Sequence, residues 1–169
     1  EKSKEIFQNQ GLPIVGGFYF DTGELKSYSP TNYPFVIKPI DEGSSVGVKI
    51  VKNPLDLATL KIKNPWESKR LMVENFVDGK ELTVTVVGDK ALAVTEIISS
   101  DWYDYDSKYL KGGSKHILPA DLPDEITEAC LSYGLKAHNA LSCRGITRTD
   151  FKWDPSKGLA GLYILELNT

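Results

Sequence analysis

The sequence lacks several features that would assign it to a familiar class of protein. Its two cysteines, Cys130 and Cys143, have neither the spacing of a zinc site nor that of a disulfide framework. No apolar run approaches the roughly 20 residues that span a bilayer, and no signal peptide is visible. With 20 basic against 23 acidic residues, the chain has no excess of positive charge for nucleic acid. We therefore expect a cytoplasmic protein that binds neither membranes nor nucleic acid.

The pattern of apolar residues predicts helices and strands in both halves of the chain. Apolar residues recur at three- and four-residue steps over 126–141, which predicts a helix with Cys130 on its buried face. A hairpin is expected around Gly88-Asp89-Lys90, and a second strand pair over 145–153 and 162–168. Further helices are expected at 2–10 and 55–62, and further strands at 14–20, 35–39, 46–51 and 71–77.

A segment without periodicity, 99–119, follows the first hairpin. Structureless segments of about 20 residues within a domain are usually functional lids or disordered. Because this one contains Trp102, Tyr103, Tyr105 and Tyr109, we favour a lid that docks.

The last two predicted strands carry the best candidates for chemistry. Residues two apart on a strand face the same side, so Arg148 lies beside Asp150, and Glu166 beside Asn168. If the strands pair, these oxygen ligands suit Mg²⁺. The alternative is a solvated strand face with a surface salt bridge. Glu166 favours the metal site because it follows an apolar run, and burying a carboxylate without a partner is costly.

Two other segments suit a nucleotide. Lys38 precedes the run Glu42-Gly43-Ser44-Ser45-Val46-Gly47, whose free N–H groups could hold an anion, although it could equally be a flexible hairpin tip. The segment Glu74-Asn75-Phe76-Val77 could bond an adenine through its backbone, and Glu81 could accept two ribose hydroxyls. A plain strand–turn–strand with exposed acids is the alternative. Neither His116 nor His138 has a Ser or Cys at a spacing that suggests a nucleophile.

Five segments of the chain resemble D-alanine–D-alanine ligases in their residues, in their order along the chain and in the distances between them. The two most specific are Lys38 to Gly47 and Tyr103 to Tyr109; the others are Glu74 to Glu81, Arg148 to Asp150, and Glu166 to Thr169. The similarity covers essentially the whole chain. It implies an α+β protein with the ATP-grasp fold, in which two subdomains with antiparallel sheets clasp ATP. We expect the central subdomain over 1–73 and the catalytic subdomain over 74–169.

The resemblance also implies a role for each candidate residue. Nucleotide binding would fall to Lys38, Glu42, Gly43, Ser44, Ser45, Val46, Glu74, Asn75, Phe76, Val77 and Glu81. Catalysis would involve Ser44, Lys108, Tyr109 and Arg148, with Lys108 at the transferred phosphate. Two Mg²⁺ or Mn²⁺ ions would be bound by Asp150, Glu166 and Asn168. One departure is Thr147, where the family commonly has serine or alanine.

The implied reaction joins two D-alanines, with ATP, through an acyl phosphate, for peptidoglycan precursor synthesis. The full-length enzyme is expected to be a homodimer. We expect 1–169 to be a fragment, without the N-terminal domain and the C-terminal tail, and to be inactive alone. The alternatives are another ATP-grasp ligase, including one that uses D-lactate, and a nucleotide-binding module without catalysis. Lys108 followed by Tyr109 favours D-alanine over D-lactate.

Overall fold

The computed structural model describes residues 2–30, 32–42, 46–66, 70–98 and 114–169. The chain forms two compact units, a smaller one over Gly16–Phe76 and a larger one that combines Glu1–Val15 with Val77–Thr169. These limits differ from the ranges 1–73 and 74–169 expected for the subdomains. Helix α1 (Lys2–Asn9) belongs to the larger unit because Phe7, together with Leu12 after the helix, is buried in that unit's core.

In the residues that the structure describes, the smaller unit contains a four-stranded antiparallel sheet and one α-helix. The strands, in the spatial order β1-β4-β2-β3, are β1 (Gly17–Asp21), β2 (Phe35–Pro39), β3 (Lys49–Val51) and β4 (Arg70–Asn75). Helix α2 (Pro54–Lys63) follows β3, and a short 3₁₀ helix (Thr22–Lys26) follows β1. Strands β2 and β3 are an antiparallel pair, and β3 begins three residues after the start of the strand expected over 46–51.

Local chemistry fixes both ends of α2. The Asn53 side chain accepts hydrogen bonds from the N–H groups of Leu55 and Asp56, and Pro54 occupies the first turn, where no intrahelical donor is required. Asn64 ends the helix in the left-handed region, at φ 35°. The helix contributes Leu57 to a core that also contains Phe20, Leu25, Phe35, Ile37, Val51, Trp66, Leu71 and Val73.

The larger unit contains a five-stranded antiparallel sheet in the order β7-β6-β5-β8-β9. Within the described residues, its elements after α1 are β5 (Lys80–Val87), β6 (Lys90–Ile98), β7 (Lys115–Ile117), α3 (Asp124–Ala140), β8 (Ile146–Trp153) and β9 (Leu162–Asn168). A 3₁₀ helix (Pro155–Gly161) joins the last two strands. The predicted hairpins and the long helix are confirmed.

Helix α3 packs against one face of this sheet. A Cβ at Gly134 would lie 3.1 Å from Val84 Cγ1, so glycine allows the helix to approach β5 closely. Cys130 is fully buried in the same layer, as predicted, beside core residues that include Leu82, Phe151 and Ile164. Alternation along β5 and β8 leaves the opposite face of the sheet for polar side chains.

Strand β7 was not predicted. It pairs with the end of β6, with His116 opposite Ile97, inside the segment expected to be a structureless loop. Its three residues are mostly exposed, so no apolar alternation marks them in the sequence. In the described part of the chain, no helix is both long and apolar enough to cross a membrane.

Candidate active site

The polar face of the larger sheet brings together residues from three strands. Asp150 on β8 lies between Thr83 on β5 and Glu166 on β9, each its directly paired neighbour. Arg148 is paired with Asn168 of β9 in the same way. The predicted pairing of the last two strands is therefore confirmed, and it assembles the arginine, two carboxylates and the carboxamide on one side of the sheet.

The Asp150 carboxylate is the centre of a hydrogen-bond network. Arg148 donates to it twice, from Nε to Oδ1 and from Nη2 to Oδ2, each over 2.9 Å. Thr83 donates its hydroxyl to Oδ1 over 2.7 Å, and Asn168 donates Nδ2 to Oδ2 over 3.0 Å. A carboxylate has about four acceptor sites, so this set of donors satisfies the group fully. The bidentate geometry is the strong form of an arginine–carboxylate pair.

The electrostatics of this face favour a charged Arg148. Its hydrogen bonds to Asp150 raise the pKa of the guanidinium above the ordinary value, against the opposing effect of burial. The negative charges of Asp150, Glu166 and Glu81 act in the same direction as the hydrogen bonds. The side chain of Arg148 is 54% exposed, whereas that of Asp150 is 12% exposed, so the arginine presents a permanent positive charge at an accessible surface.

A register shift sets the orientation of β9. Asp150 pairs with Glu166, but the next residue, Phe151, pairs with Ile164, so Leu165 is an extra residue in β9. The shift places Ile164 in the core and Glu166 on the opposite face. Glu166 is exposed, and the expectation that it is buried after its apolar run is therefore wrong.

The donor set fits a hard cation in its chemistry. Asp150, Glu166 and Asn168 offer carboxylate and amide oxygens, the ligands that Mg²⁺ and Mn²⁺ prefer. All four acceptor sites of Asp150 are occupied, one of them by the Asn168 amide. Because Asn168 is exposed, rotation of its amide would free that site on Asp150 and present an amide oxygen to a cation. The described ranges contain no group of three or more His, Cys, Asp or Glu side chains that could hold a metal, so the amide of Asn168 is needed as the third ligand here.

In the smaller unit, two of the predicted nucleotide-binding residues form an ion pair. Lys38 Nζ on β2 lies 2.6 Å from Glu74 Oε2 on β4. The Glu74 side chain is 4% exposed and that of Lys38 is 20% exposed. A buried carboxylate requires such a partner, because an unpaired charge away from water is costly. The lysine is thus fixed on the sheet immediately before the Gly/Ser run.

The predicted adenine segment spans the boundary of the two units. Asn75 and Phe76 end the smaller unit, and Val77 begins the larger one. Asn75 is exposed and donates its N–H to the carbonyl of Gly16 over 3.0 Å, whereas Phe76 and Val77 are half-buried. Glu81 lies on β5, two residues from Thr83 and on the same face of the larger sheet.

Several candidate residues lie outside the described part of the chain. Gly43, Ser44, Ser45, Lys108, Tyr109 and the other aromatic residues of the predicted lid lie there, whereas Glu42 and Val46 are exposed at the two ends of the Gly/Ser run. After Val46 the chain is held at Gly47, whose carbonyl accepts a hydrogen bond from Trp66 Nε1 over 2.6 Å.

Comparison with known families decides the relationship. The family model of the D-ala D-ala ligase C-terminus matches residues 6–169. The chain belongs to this family. The chain is 50% identical to a D-alanine--D-alanine ligase of Ruegeria pomeroyi over 169 residues, which is all of the chain and 55% of that relative. The chain therefore spans about half the length of the curated relatives it matches.

Solved structures support the same relationship. A D-alanine--D-alanine ligase from Bacillus anthracis is similar at a TM-score of 0.74 and 27% identity, covering 99% of this chain and 55% of that one. The VanG D-Ala:D-Ser ligase from Enterococcus faecalis gives a TM-score of 0.79 at 25% identity, covering 99% of this chain and 51% of that one. The α+β ATP-grasp fold expected for this chain is thereby confirmed.

Sequence reasoning missed two residues of the polar face, Thr83 and Lys152. Strand alternation could have found both, because Thr83 follows Glu81 by two residues and Lys152 follows Asp150 by two. On the other face, Thr147 is buried and its hydroxyl lies 2.8 Å from Nδ1 of the buried His138 on α3. Thr147, the departure from the family pattern, therefore has a hydrogen-bond partner, and His138 is a core residue.

Proposed function

We propose that the protein containing this chain is an ATP-dependent D-alanine–D-alanine ligase, and that the chain supplies its ATP-binding and catalytic residues. The observation that carries the proposal is the convergence of Arg148, Asp150, Glu166 and Asn168 on one face of the larger sheet. Membership of the family and 50% identity to a named ligase support the same activity. The product would be a precursor of peptidoglycan.

In this proposal the two compact units correspond to the two ATP-grasp subdomains. The smaller unit would bind phosphates through Lys38 and the run from Glu42 to Val46, including Gly43, Ser44 and Ser45. Glu74, Asn75, Phe76 and Val77 would contact adenine, and Glu81 would accept hydrogen bonds from the ribose. Ser44, Lys108 and Tyr109 would complete the closed site.

Asp150, Glu166 and Asn168 would hold two Mg²⁺ or Mn²⁺ ions. When bound, the ions would neutralise negative charge on the transferred phosphate. Arg148 needs no ion for its own role, because its guanidinium is fixed by Asp150 and carries a permanent charge. We propose that this charge stabilises negative charge that accumulates on the reacting carboxyl group.

The chemistry follows two steps. A carboxylate oxygen of the first D-alanine attacks the γ-phosphorus of ATP, which forms an acyl phosphate and releases ADP. The amine of the second D-alanine then attacks the acyl carbon, loses a proton, and displaces inorganic phosphate. Positioning and positive charge supply most of the catalysis in such transfers. Because acyl phosphates hydrolyse readily, a closing segment around Lys108 and Tyr109 would serve to exclude water.

The test is phosphate release from ATP by the full-length protein, with D-alanine, D-lactate, D-serine and L-alanine supplied in turn. Release that depends on D-alanine, with D-alanyl-D-alanine as the product, is the expected result. Arg148→Ala should lower kcat about 100-fold, as loss of a transition-state charge contact does. Arg144→Ala, which removes an exposed arginine just before β8, should leave the rate unchanged.

The other substrates separate the alternatives. Joining of D-alanine to D-serine or D-lactate would retain the ligase chemistry and change the second substrate. D-serine is included because the structurally similar VanG is a D-Ala:D-Ser ligase. Nucleotide binding with no phosphate release on any substrate would overturn the proposal in favour of a binding module.

The location and assembly of the full-length protein are also proposals. We propose that the full-length protein is cytoplasmic, since its proposed substrates are soluble small molecules, and that it is a homodimer, as the family resemblance implies. Light scattering on the full-length protein measures the assembly directly, and a mass equal to one chain would contradict it.

A further inference from the structure

A buried lysine on the polar face of the larger sheet has no role in the proposed reaction. Lys152 is 4% exposed, and lysine is almost never buried so completely unless its charge is satisfied. It follows Asp150 by two residues on β8 and therefore lies on the same face of the sheet. The fold thus orders an ammonium group next to the carboxylate network.

The Lys152 ammonium is bound to the segment that leads into β5. Its Nζ donates to the carbonyl oxygen of Gly79 over 3.1 Å. Gly79 adopts φ +118°, and a Cβ there would lie 2.1 Å from the carbonyl oxygen of Trp153. Only glycine permits this approach, so backbone packing holds the 78–79 turn against the end of β8. The lysine adds a charged hydrogen bond to that contact.

The neighbours of Lys152 connect it with the adenosine half of the proposed nucleotide site. Glu81, the proposed ribose ligand, is its directly paired residue on β5, and Tyr163 is its paired residue on β9. Side chains of directly paired residues are about 5 Å apart at Cβ. Gly79 lies two residues before Glu81 and two after Val77, the last of the proposed adenine contacts.

We propose that Lys152 is a positioning residue for the adenosine part of the nucleotide, because it fixes the Gly79 carbonyl beside Glu81. The inference rests on the proposed function and adds to it a residue to which that function assigns no role. Lys152 acts through the Val77–Glu81 backbone, not through the phosphates. Its removal should therefore weaken ATP binding and leave the D-alanine subsites and the phosphate contacts intact.

The test uses the full-length protein with Lys152→Met, Lys152→Arg and a matched control, Lys157→Met. Methionine keeps the apolar stem and removes the charge, whereas arginine keeps both charge and donors. Lys157 is an exposed lysine of the same unit, ion-paired with Asp154, so its loss removes the same charge elsewhere. Each variant is assayed for KM of ATP, KM of D-alanine, kcat, and inhibition by inorganic tripolyphosphate, which probes the phosphate contacts alone.

Lys152→Met should raise KM for ATP and the Kd of ADP about tenfold, the effect of one charged hydrogen bond. KM for D-alanine, kcat and tripolyphosphate inhibition should change less than twofold. Lys152→Arg should recover most of the ATP affinity, and Lys157→Met should behave as wild type. If Lys152 only stabilises the fold, Lys152→Met would lower the stability of the protein, lower kcat and weaken the binding of ATP, D-alanine and tripolyphosphate together. That result would overturn the proposal.

Calorimetric binding of ADP separates this inference from the proposed function. If the wild type binds ADP but makes no dipeptide, the ligase proposal fails and the role of Lys152 is still decided by the variants' Kd. Equal ADP affinity in wild type and Lys152→Met overturns the inference alone. If Lys152→Met does not fold, the comparison of Lys152→Arg and Lys152→Gln decides, since only arginine can restore the charged contact.

Discussion

Replacing Asp150 with asparagine tests the hydrogen-bond network at the centre of the candidate site. The substitution keeps the shape of the side chain and removes its charge. One carboxylate oxygen becomes an NH₂ group, which cannot accept from Arg148 Nη2 or Asn168 Nδ2 if it takes the place of Oδ2. Thr83 and Arg148 Nε can still donate to the remaining oxygen, but without its negative charge.

The magnitude follows from these contacts. One charge-assisted bond to Arg148 is lost, and such bonds contribute about 1.5–3 kcal/mol each. Arg148 is 54% exposed, so water replaces part of that interaction. Asn168 can rotate its amide to accept from the new NH₂ group. We therefore expect the free energy of unfolding to fall by about 2 kcal/mol, which lowers Tm by roughly 4–8 °C in a chain of this length.

The measurement is urea unfolding of Asp150→Asn in the absence of metal and nucleotide, compared with Asp89→Asn. Asp89 is exposed in the turn between β5 and β6 of the same sheet, so this control makes the same change in charge outside the network. The control should remain within about 0.5 kcal/mol of wild type. Equal stability of the two variants would refute the view that the network stabilises the sheet.

Three further predictions concern the fold. Burial raises the pKa of Cys130 to about 12, while an unfolded thiol titrates near ~8.5. The contribution of the neutral thiol to stability is therefore complete below ~8.5 and declines as the pH rises from there toward 12. From pH 8.5 to 10, unfolding free energy should fall about 1.6 kcal/mol more in wild type than in Cys130→Ala, measured by urea unfolding. Asn53→Ala should cost about 1 kcal/mol, because the capping bonds to Leu55 and Asp56 are lost; the Tm of the variant measures it. Gly79→Ala should lower Tm by more than Gly23→Ala does, since a Cβ at 79 meets the Trp153 carbonyl and one at 23 meets nothing within 4 Å.

Each of these has a contrary result. If the free energy of unfolding falls equally with rising pH in wild type and Cys130→Ala, burial does not raise the pKa of Cys130 in the folded state. An unchanged Tm in Asn53→Ala would mean that packing of Leu57 alone maintains α2. Equal effects at positions 23 and 79 would contradict the close approach of the 78–79 turn to β8.

Much of the fold follows from local patterns in the sequence. The periodicity over 126–141 predicts α3 because apolar residues at three- and four-residue steps can only be buried together on a helix. Pro54 and Asn53 mark the start of α2 for an equally local reason. Strand β7 could not be found, since three mostly exposed residues contain no apolar alternation. Residues 1–15 could not be assigned to the larger unit, because nothing local reveals which core buries Phe7.

The candidate site was predictable in composition but not in detail. Arg148 and Asp150 lie on the same face because side chains two residues apart on a strand point to the same side. The ion pair of Lys38 with Glu74 joins β2 to β4, a pairing that depends on sheet order and has no local signal. Thr83 and Lys152 are ordinary strand residues in the sequence. Strand alternation places them on the same faces as Glu81 and Asp150, but only the register of β5 with β8 shows that Thr83 lies opposite Asp150 and Lys152 opposite Glu81.

In strand β9, the two-residue alternation of side chains does not hold along the whole strand. A strict period of two would place Leu162, Ile164 and Glu166 on one face, and would thus bury the carboxylate with the core or expose the isoleucine. The extra residue, Leu165, changes the phase between Ile164 and Glu166. Neither glycine nor proline marks the change, so no local signal in the sequence predicts it. The apolar half of β9 therefore fills the core while its polar half faces Asp150, and the register shift is what lets one strand do both.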